Sequence, residues 1–430
     1  MKELIFYYDV VCPFAFIASR LVEGLARRTN ATLQWRPVLL GGLYEGTKAP
    51  QGKDGSATDV MSAAKRQIVN EDLIRTMKRH GIVASFPSGH PVQSLKAMRL
   101  LSATDFDGHT RVQLTHQLYK SYWVDNKDIT DSHFLQSVVA DIGWHVDVDE
   151  VTGKQSVKDE LRRNTDEALK HGAFGVPSFC VNNRLYFGVD RMHFVEQELN
   201  GNKVAMPRMV MPPAPGVPPL EAKLTIFHDF SSPWSYLGSQ QIRNLVDTVS
   251  PVRVTVEWVP ILLGALFKET GTPLVPLAVA SPAKVAYGQL DIQDWARYGG
   301  NISIRWPSNF PLRTVTPLRV SIAEPSDKLR DAIYQAAWAD DKNIADVKVL
   351  TSVLESAGFD GQHLISVAGR ADVKEQLKIN TSRAVAAGAC GVPSYMVNDG
   401  PTVIWGQDRL NVVADMLCGW KDEDISTAKL

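Results

Sequence analysis

Short apolar runs alternate with longer amphipathic stretches along the 430-residue chain. Residues 4–8 and 33–40 are apolar and rich in aromatic and branched side chains, a pattern that predicts two buried β-strands. Residues 14–28, between these runs, have the periodicity of an amphipathic helix. The stretch from about 57 to 171 is predicted to be mostly helical. The first part of the chain is therefore predicted as strand, helix and strand, followed by a long helical insertion.

A second pair of apolar runs follows the helical stretch. Residues 178–181 and 185–187 flank Asn182-Asn183, which predicts a β-hairpin followed by a final helix. A βαβ unit that a helical insertion separates from a ββα unit is a thioredoxin-like arrangement. The predicted fold class is therefore α/β.

The same sequence blocks occur twice in the same order, which indicates an internal repeat. The separation between matching blocks changes by only a few residues, as small insertions would produce. The matching blocks are residues 4–16 and 224–236, 35–41 and 258–264, 86–91 and 306–311, 175–179 and 391–395, and 187–191 and 405–409. The chain is thus predicted to contain two copies of one unit.

A proline-rich stretch separates the two copies. Residues 207–219 contain repeated prolines, which fix φ and lack an amide hydrogen, so an extended and semi-rigid linker is expected. We therefore predict two tandem thioredoxin-like domains, each with a helical insertion, at residues 1–203 and 222–430. Residues 204–221 would join them.

The charge and cysteine content exclude several classes of protein. Lys and Arg number 46 and Asp and Glu number 47, so the basic excess of a nucleic-acid-binding protein is missing. No apolar run approaches the roughly 18 residues that a membrane span needs, and the N-terminus lacks a signal-peptide pattern. The four cysteines have neither metal-site spacing nor the density of a disulfide scaffold. We expect no bound metal, no nucleic acid and no membrane partner.

The turn between the first strand and the first helix carries Cys12 in one copy and Ser232 in the other. Unpaired amide hydrogens at a helix N-terminus lower the pKa of a thiol and can stabilise a bound thiolate. Ala15 stands where a Cys-x-x-Cys pair has its second cysteine, so Cys12 could act only as a lone nucleophile or form a mixed disulfide. Ser232 would instead donate a hydrogen bond to a thiolate of a ligand. The simpler alternative is that Cys12 is a small buried residue and Ser232 a helix N-cap.

Each copy also contains a Gly-Val-Pro-Ser sequence before a predicted strand. We expect the bonds Val176-Pro177 and Val392-Pro393 to be cis, since a cis proline is a purposeful feature of a tight turn. The valine backbone would then be exposed beside the Cys12 or Ser232 turn and could pair with a peptide-like ligand. An ordinary turn proline is the alternative.

The motifs of the second copy together resemble those of 2-hydroxychromene-2-carboxylate isomerases. Kappa-class glutathione transferases and DsbA-type oxidoreductases are similar and share the fold. The resemblance covers both copies, and Cys12 in place of the serine brings the first copy closer to the oxidoreductases. The motifs are Asp-Phe-x-Ser-Pro-Trp-Ser-Tyr-Leu at 229–237, Trp-x-Pro-x-Leu-Leu-Gly at 258–264, Gly-Val-Pro-Ser at 391–394 and Trp-Gly-Gln-Asp-Arg-Leu at 405–410.

The resemblance implies a glutathione site in each copy. In the second copy, Ser232 would hydrogen-bond the glutathione sulfur, and Val392 before Pro393 would pair with the cysteinyl backbone. Asp408 would bind the γ-glutamyl ammonium, and Lys284 would bind a carboxylate. The matching residues of the first copy are Cys12, Lys65, Val176, Pro177 and Asp190. A tripeptide with one ammonium and two carboxylates suits an acid, a cation and backbone pairing.

The two aspartates of this set have an alternative role. Asp190 and Asp408 each precede the last predicted helix of a copy, where an aspartate commonly serves as an N-cap.

The functional hypothesis is a glutathione-dependent isomerase or transferase acting on a small electrophilic, aromatic or polyketide-like substrate. A monothiol disulfide or glutathione oxidoreductase that uses Cys12 is one alternative, and a non-catalytic duplicated binding protein is another. Relatives in this family work as two-fold dimers, so the tandem copies suggest an internal pseudo-dimer. A single chain would then supply both halves of the dimer and could be a monomer.

The C-terminus ends in Ala428-Lys429-Leu430, a variant of the Ser-Lys-Leu peroxisomal address. We therefore expect the protein in the peroxisome or the cytoplasm.

Overall fold

The computed structural model describes residues 2–103, 108–201 and 219–421. Most of the predicted linker at 204–221 and the C-terminal tripeptide lie outside these residues. The strands of the first half are β1 (Lys2–Tyr8), β2 (Ala31–Pro37), β3 (Ser178–Val181) and β4 (Arg184–Phe187). The strands of the second half are β5 (Glu221–His228), β6 (Arg253–Pro260), β7 (Ser394–Val397) and β8 (Val403–Trp405).

The helices also repeat between the halves. Those of the first half are α1 (Pro13–Thr29), α2 (Leu40–Gly46), α3 (Ala63–Arg79), α4 (Leu95–Leu101), α5 (Gly108–Trp123), α6 (Ser132–Asp141), α7 (Val148–Gly153), α8 (Gln155–Lys170) and α9 (Met192–Leu199). Those of the second half are α10 (Pro233–Ser239), α11 (Ile242–Thr248), α12 (Leu263–Thr270), α13 (Pro282–Tyr298), α14 (Val315–Ala323), α15 (Asp327–Trp338), α16 (Val347–Ser356), α17 (Gly361–Ala368), α18 (Ala371–Ala386) and α19 (Leu410–Leu417). Among the described residues, none of these helices is long and apolar enough to cross a membrane.

Each half contains a mixed sheet, with strand order β2-β1-β3-β4 in the first and β6-β5-β7-β8 in the second. The first two strands of each half pair in parallel, and the hairpin strands join antiparallel. This confirms two tandem thioredoxin-like units of the α/β class and confirms the hairpin at Asn182-Asn183. The predicted strand 33–40 is wrong at its end: β2 stops at Pro37, because Leu40 already begins α2.

An aromatic cluster centres the core of the first half. The ring of Phe6 on β1 stacks between Tyr8 and Phe179, each at 5.3 Å between centroids, and meets the edge of Trp35 at 5.1 Å. Trp35 and Phe179 face Phe6 in register from the two neighbouring strands, and Tyr8 lies two residues along β1 on the same face of the sheet. The sheet thereby forms a rigid support for the turn that follows β1.

Each half sends one helix across to pack against the other half. Trp295 of α13 is only 3% exposed and lies in the core of the first half, where its ring is 5.0 Å from that of Phe194. In return, Ile68 of α3 is 5% exposed and packs in one apolar cluster with Phe227 and Val392 of the second half. The two halves are therefore joined by a reciprocal exchange of helices rather than by a flat contact.

We predict that Trp295→Ala lowers the free energy of unfolding by about 3–5 kcal/mol, because it leaves a large cavity in a core that both halves share. Leu290→Ala is the matched control, since Leu290 lies on the same helix with its side chain 50% exposed. That control should cost less than about 0.5 kcal/mol. Urea unfolding followed by circular dichroism measures both, and equal losses for the two variants would contradict the helix exchange.

Candidate active site

A single cleft of about 2200 Å³ receives residues from both halves. Nine of the ten predicted site residues line it, and Pro393 does not. The nine are Cys12, Lys65, Val176, Pro177, Asp190, Ser232, Lys284, Val392 and Asp408. The described residues thus place candidate residues of both copies along one continuous cleft.

A buried aspartate fixes the turn that presents Cys12. Asp9 is completely buried, and its carboxylate accepts hydrogen bonds from the amides of Val11 at 3.2 Å and Leu40 at 2.9 Å, and from the hydroxyl of Ser94 at 2.9 Å. Burial raises the pKa of Asp9 to about 6, although these hydrogen bonds oppose the increase. One carboxylate thereby ties together the turn after β1, the start of α2 and the start of α4.

The second half repeats this arrangement around Asp229. Its carboxylate accepts hydrogen bonds from the amides of Ser231 and Leu263 and from the hydroxyl of Thr314, at 2.9, 2.8 and 2.7 Å. Burial raises the pKa of Asp229 as well. Sequence reasoning did not single out Asp9 or Asp229, although their recurrence at matching places in the repeat was a usable signal.

Cys12 lies at the N-cap of α1 but is almost enclosed, with 8% of its surface exposed. Its thiol donates a hydrogen bond to the carbonyl oxygen of Val176 at 3.2 Å. Burial raises the pKa of the thiol to about 12, and the lowering by the amides of Phe14 and Ala15 is smaller. The expected lowering of the pKa is therefore wrong for this site, because desolvation exceeds the effect of the helix N-terminus.

Ser232 is the N-cap of α10, as the alternative interpretation expected. Its oxygen accepts a hydrogen bond from the amide of Ser235 at 3.2 Å, and its hydroxyl donates to the carbonyl oxygen of Val392 at 3.2 Å. A ligand thiolate would replace that carbonyl as the acceptor of the hydroxyl hydrogen bond, while the hydrogen bond from the amide of Ser235 holds the serine oxygen in place. The N-cap role and the binding role are thus compatible.

Both Val-Pro bonds are cis, which confirms the prediction. The carbonyl oxygens of Val176 and Val392 accept from Cys12 and Ser232. Within the described part of the chain, the amide N–H groups of these valines donate no hydrogen bond. The two N–H groups are therefore available to a ligand backbone.

The two predicted ammonium ligands meet at one place. Arg191 lies 2.5 Å from the carboxylate of Asp190 and 2.7 Å from that of Asp408, and Arg409 contacts the same two carboxylates at 2.6 and 3.1 Å. The helices that follow begin after Arg191 and Arg409 without a side-chain cap, so the N-cap alternative for the aspartates is wrong. Both aspartates thus belong to one cluster, and the assignment of one to each glutathione site stays a prediction.

Two further aspartates complete this cluster, and the exchanged helices supply them. Asp291 of α13 accepts two hydrogen bonds from Arg191 at 3.0 and 2.8 Å, and Asp72 of α3 accepts one from Arg409 at 2.9 Å. Four carboxylates against two guanidinium groups leave an excess of negative charge within the cluster, although burial raises the pKa of Asp291. Burial would raise the pKa of Asp190, but the two guanidinium groups hold it below its usual range. Sequence reasoning missed Asp72 and Asp291, which stand at the same spacing after Lys65 and Lys284.

Each of the two predicted lysines is on a helix that packs against the other half of the chain. Lys65 lies 5.4 Å from the centre of the Trp405 ring, and that indole packs so closely on Gly391 that a Cβ there would come within 2.7 Å of Nε1. Lys65 of the first half therefore lies beside Trp405 and Gly391 of the second half, and Val392 is the next residue after Gly391. Its assignment to the first copy is corrected accordingly.

Lys284 has the equivalent position on α13. One turn later, the hydroxyl of Tyr287 accepts a hydrogen bond from the amide of Phe187 at 3.0 Å, which fixes α13 against the first half. Burial and the charge of Lys65 lower the pKa of Lys284. Neither lysine forms an ion pair with any residue in the described ranges. A cleft with two unpaired cations favours an anionic ligand.

A family model, described as the DsbA-like thioredoxin domain, matches residues 3–200 and again residues 223–418. The chain belongs to the DsbA-like thioredoxin family. The two matched ranges contain the two four-stranded sheets except for the first residues of β1 and β5.

Individual relatives of this DsbA-like protein match one half of it. The 2-hydroxychromene-2-carboxylate isomerase of Sphingobium xenophagum is 23% identical over 201 residues, which are 46% of this chain and 98% of the relative. Glutathione S-transferase kappa 1 of Rattus norvegicus is 27% identical over 208 residues, 45% of this chain and 89% of the relative. A solved structure of 2-hydroxychromene-2-carboxylate isomerase aligns with a TM-score of 0.41 at 21% identity, covering 45% of this chain and 94% of that one.

We predict that Cys12 of this DsbA-like protein is alkylated slowly by iodoacetamide. A thiol with a pKa of about 12 holds on the order of a thousand-fold less thiolate at neutral pH than an ordinary cysteine with a pKa of about 8.5. Mass spectrometry of the labelled peptide should show a rate that rises with pH without levelling off. The partly exposed Cys418 serves as the internal control. A rate that levels off near neutral pH would contradict the burial argument.

We predict that Arg191→Met lowers the free energy of unfolding by about 3 kcal/mol or more at neutral pH, because it leaves buried carboxylates without their cation. In the parent chain, the lowered pKa of Asp190 stabilises the fold fully above about pH 4. This contribution is lost as the pH falls from about 4 to about 2, the folded-state pKa of Asp190. In the variant the carboxylate pKa values rise, so its deficit should shrink between pH 7 and pH 4.

Arg370→Met is the matched control, because it removes an ion pair in which both side chains are about 60% exposed. Its cost should stay below about 1 kcal/mol. Chemical unfolding at the two pH values measures the difference, and a deficit that is independent of pH would rule out the charge cluster as its cause.

Proposed function

We propose that this chain binds glutathione in the cleft and acts on a small electrophilic substrate as an isomerase or a transferase. The observation that carries the proposal is the arrangement of charge around the two free valine amides. Unpaired lysines and an acidic cluster line the same cleft, and the exchanged helices bring residues of both halves to it.

The charges of the cleft suit the termini of the tripeptide. The excess of negative charge around Asp190 and Asp408 would bind the γ-glutamyl ammonium, and Lys65 and Lys284 would bind carboxylates. The side chain of Asp190 is 28% exposed and that of Asp408 is 19% exposed, so a ligand in the cleft can reach both carboxylates. A ligand with an ammonium at one end and carboxylates at both ends would therefore satisfy groups that the fold leaves unneutralised.

The backbone of the ligand would pair with the cis Val-Pro segment. The free N–H of Val392 lies next to the carbonyl that already accepts from Ser232. A cysteinyl carbonyl bound to this N–H would bring its sulfur towards the N-terminus of α10. Ser232 would then donate a hydrogen bond from its hydroxyl to the sulfur, and the amides of the first helical turn would favour the thiolate form.

Glutathione supplies a nucleophilic thiolate, which can add to a conjugated carbonyl and either leave again to give an isomer or remain bound to give a conjugate. The chain contributes positioning, stabilisation of negative charge and exclusion of water. Relatives named as a 2-hydroxychromene-2-carboxylate isomerase and a glutathione S-transferase support these two reaction classes.

The enclosure of Cys12 argues against the monothiol oxidoreductase. A pKa of about 12 leaves almost no thiolate near neutral pH, and Ala15 provides no second sulfur. The second half, with Ser232 and an adjacent Lys65, is therefore our candidate for the glutathione-dependent reaction.

Calorimetric titration with reduced glutathione tests the proposal. We call the part of the cleft around Ser232 and Val392 the Ser232 half-site, and the part around Cys12 and Val176 the Cys12 half-site. We predict that Lys65→Met weakens binding at the Ser232 half-site by about tenfold or more, because it removes a charge-assisted contact to a carboxylate. Lys328→Met is the matched control: Lys328 also lies over an aromatic ring, 5.9 Å from the centre of Phe359, but outside the cleft. No glutathione binding by the parent chain, or equal losses in both variants, would refute the proposal.

A further inference from the structure

We propose that the two half-sites differ in what they accept on the sulfur: the Ser232 half-site is built for a bulky apolar group, and the Cys12 half-site is closed to one. This inference rests on the proposed function, because it concerns the second substrate of the same cleft. It assigns the apolar substrate to the second half.

The first difference lies at two equivalent glycines on the first turns of α2 and α12. A Cβ on Gly41 would come within 2.4 Å of the carbonyl oxygen of Lys53, so the following loop covers this position. A Cβ on Gly264 would meet nothing within 4 Å. Both glycines line the cleft. The floor of the cleft is therefore covered in the first half and open in the second.

The second difference is the composition of the loops that leave these helices. The loop at 47–62 contains Lys53, Asp54 and Asp59, and it folds back on α2. The loop at 271–281 contains no charged residue, and it exposes Leu274 by 68% and Val279 by 56%, whereas the loop at 47–62 exposes Val60 by 52%. Water contact with so much apolar surface is unfavourable, so an apolar ligand would gain by covering it.

The third difference is the wall formed around two further cis prolines, Pro91 in the first half and Pro311 in the second. In the second half Trp306 is 42% exposed and its ring lies 4.6 Å from that of Phe310, and both line the cleft. In the first half the equivalent of Phe310 is His90, which hydrogen-bonds Tyr122 at 3.0 Å. Apolar and aromatic walls with few polar groups are typical of pockets for small organic ligands.

These differences assign one apolar subsite of the cleft to three features that line it: the open Gly264, the uncharged loop with Leu274, and the rings of Trp306 and Phe310. The subsite takes the hydrocarbon or aromatic part of an electrophile. Because the loop over Gly41 occupies the equivalent space, the chain should bind only one such group.

The experiment compares S-methylglutathione with S-hexylglutathione by calorimetry on the full chain. We expect S-hexylglutathione to bind the Ser232 half-site at least about tenfold more tightly than S-methylglutathione, through partial burial of its longer alkyl chain. Only one S-hexyl group per chain should show this gain. Leu274→Asp should remove most of the gain and leave the affinity for S-methylglutathione unchanged.

Two controls separate the subsite from a general effect of apolar surface. Leu290→Asp alters an apolar residue that is 50% exposed but outside the cleft, so the gain should persist. Gly264→Phe should fill the open position and abolish the gain, whereas Gly264→Ala should retain it.

The outcomes distinguish this inference from the proposed function. If neither S-methylglutathione nor glutathione binds, the proposed function fails and the inference fails with it. If both bind and the hexyl group brings no gain, or brings it at two sites per chain, the inference is overturned while the proposed function stands. Equal effects of Leu274→Asp and Leu290→Asp would also overturn it.

Discussion

The exchange of α3 and α13 between the halves is the constraint on which the candidate site depends. Trp295 and Ile68 anchor these helices in apolar cores, and the same helices deliver Asp291 and Asp72 to the arginine–aspartate cluster. Buried charges are stable only when they are paired, so Arg191 and the acids around it must assemble together. The halves therefore cannot separate without exposing apolar surface and losing the charged lining of the cleft.

In each half, a buried carboxylate holds the turn that precedes the first helix, α1 or α10. The side chains that the two turns present, Cys12 and Ser232, differ in their chemistry. Asp9 and Asp229 make matching hydrogen bonds, so the geometry of both helix N-termini is maintained. Burial instead decides the chemistry at Cys12, where it raises the pKa of the thiol. A duplicated chain can keep one half-site for catalysis while the other keeps mainly its structural contacts, and the covered Gly41 and open Gly264 follow this division.

Much of the fold and the list of candidate residues could be predicted from the sequence, because the repeat and its local patterns record short-range structure. The hairpin at Asn182-Asn183 follows from turn chemistry, and the repeated Gly-Val-Pro-Ser sequence favours a cis bond before Pro177 over an ordinary turn proline. The crossing of Lys65 could not be predicted, since periodicity does not tell which half a helix packs against. The pKa of Cys12 also required the structure, because it depends on how far desolvation exceeds the helix N-terminus.

The most direct test of this account is a crystal structure of the full chain with reduced glutathione. The account predicts that the ligand lies in the cleft, with its sulfur at the hydroxyl of Ser232 and its backbone on the N–H of Val392. Its carboxylate and ammonium should reach Lys65 and the cluster around Asp408, so that one molecule contacts both halves. Glutathione bound outside the cleft, or held by residues of one half alone, would contradict the central claim that the exchanged helices build the site.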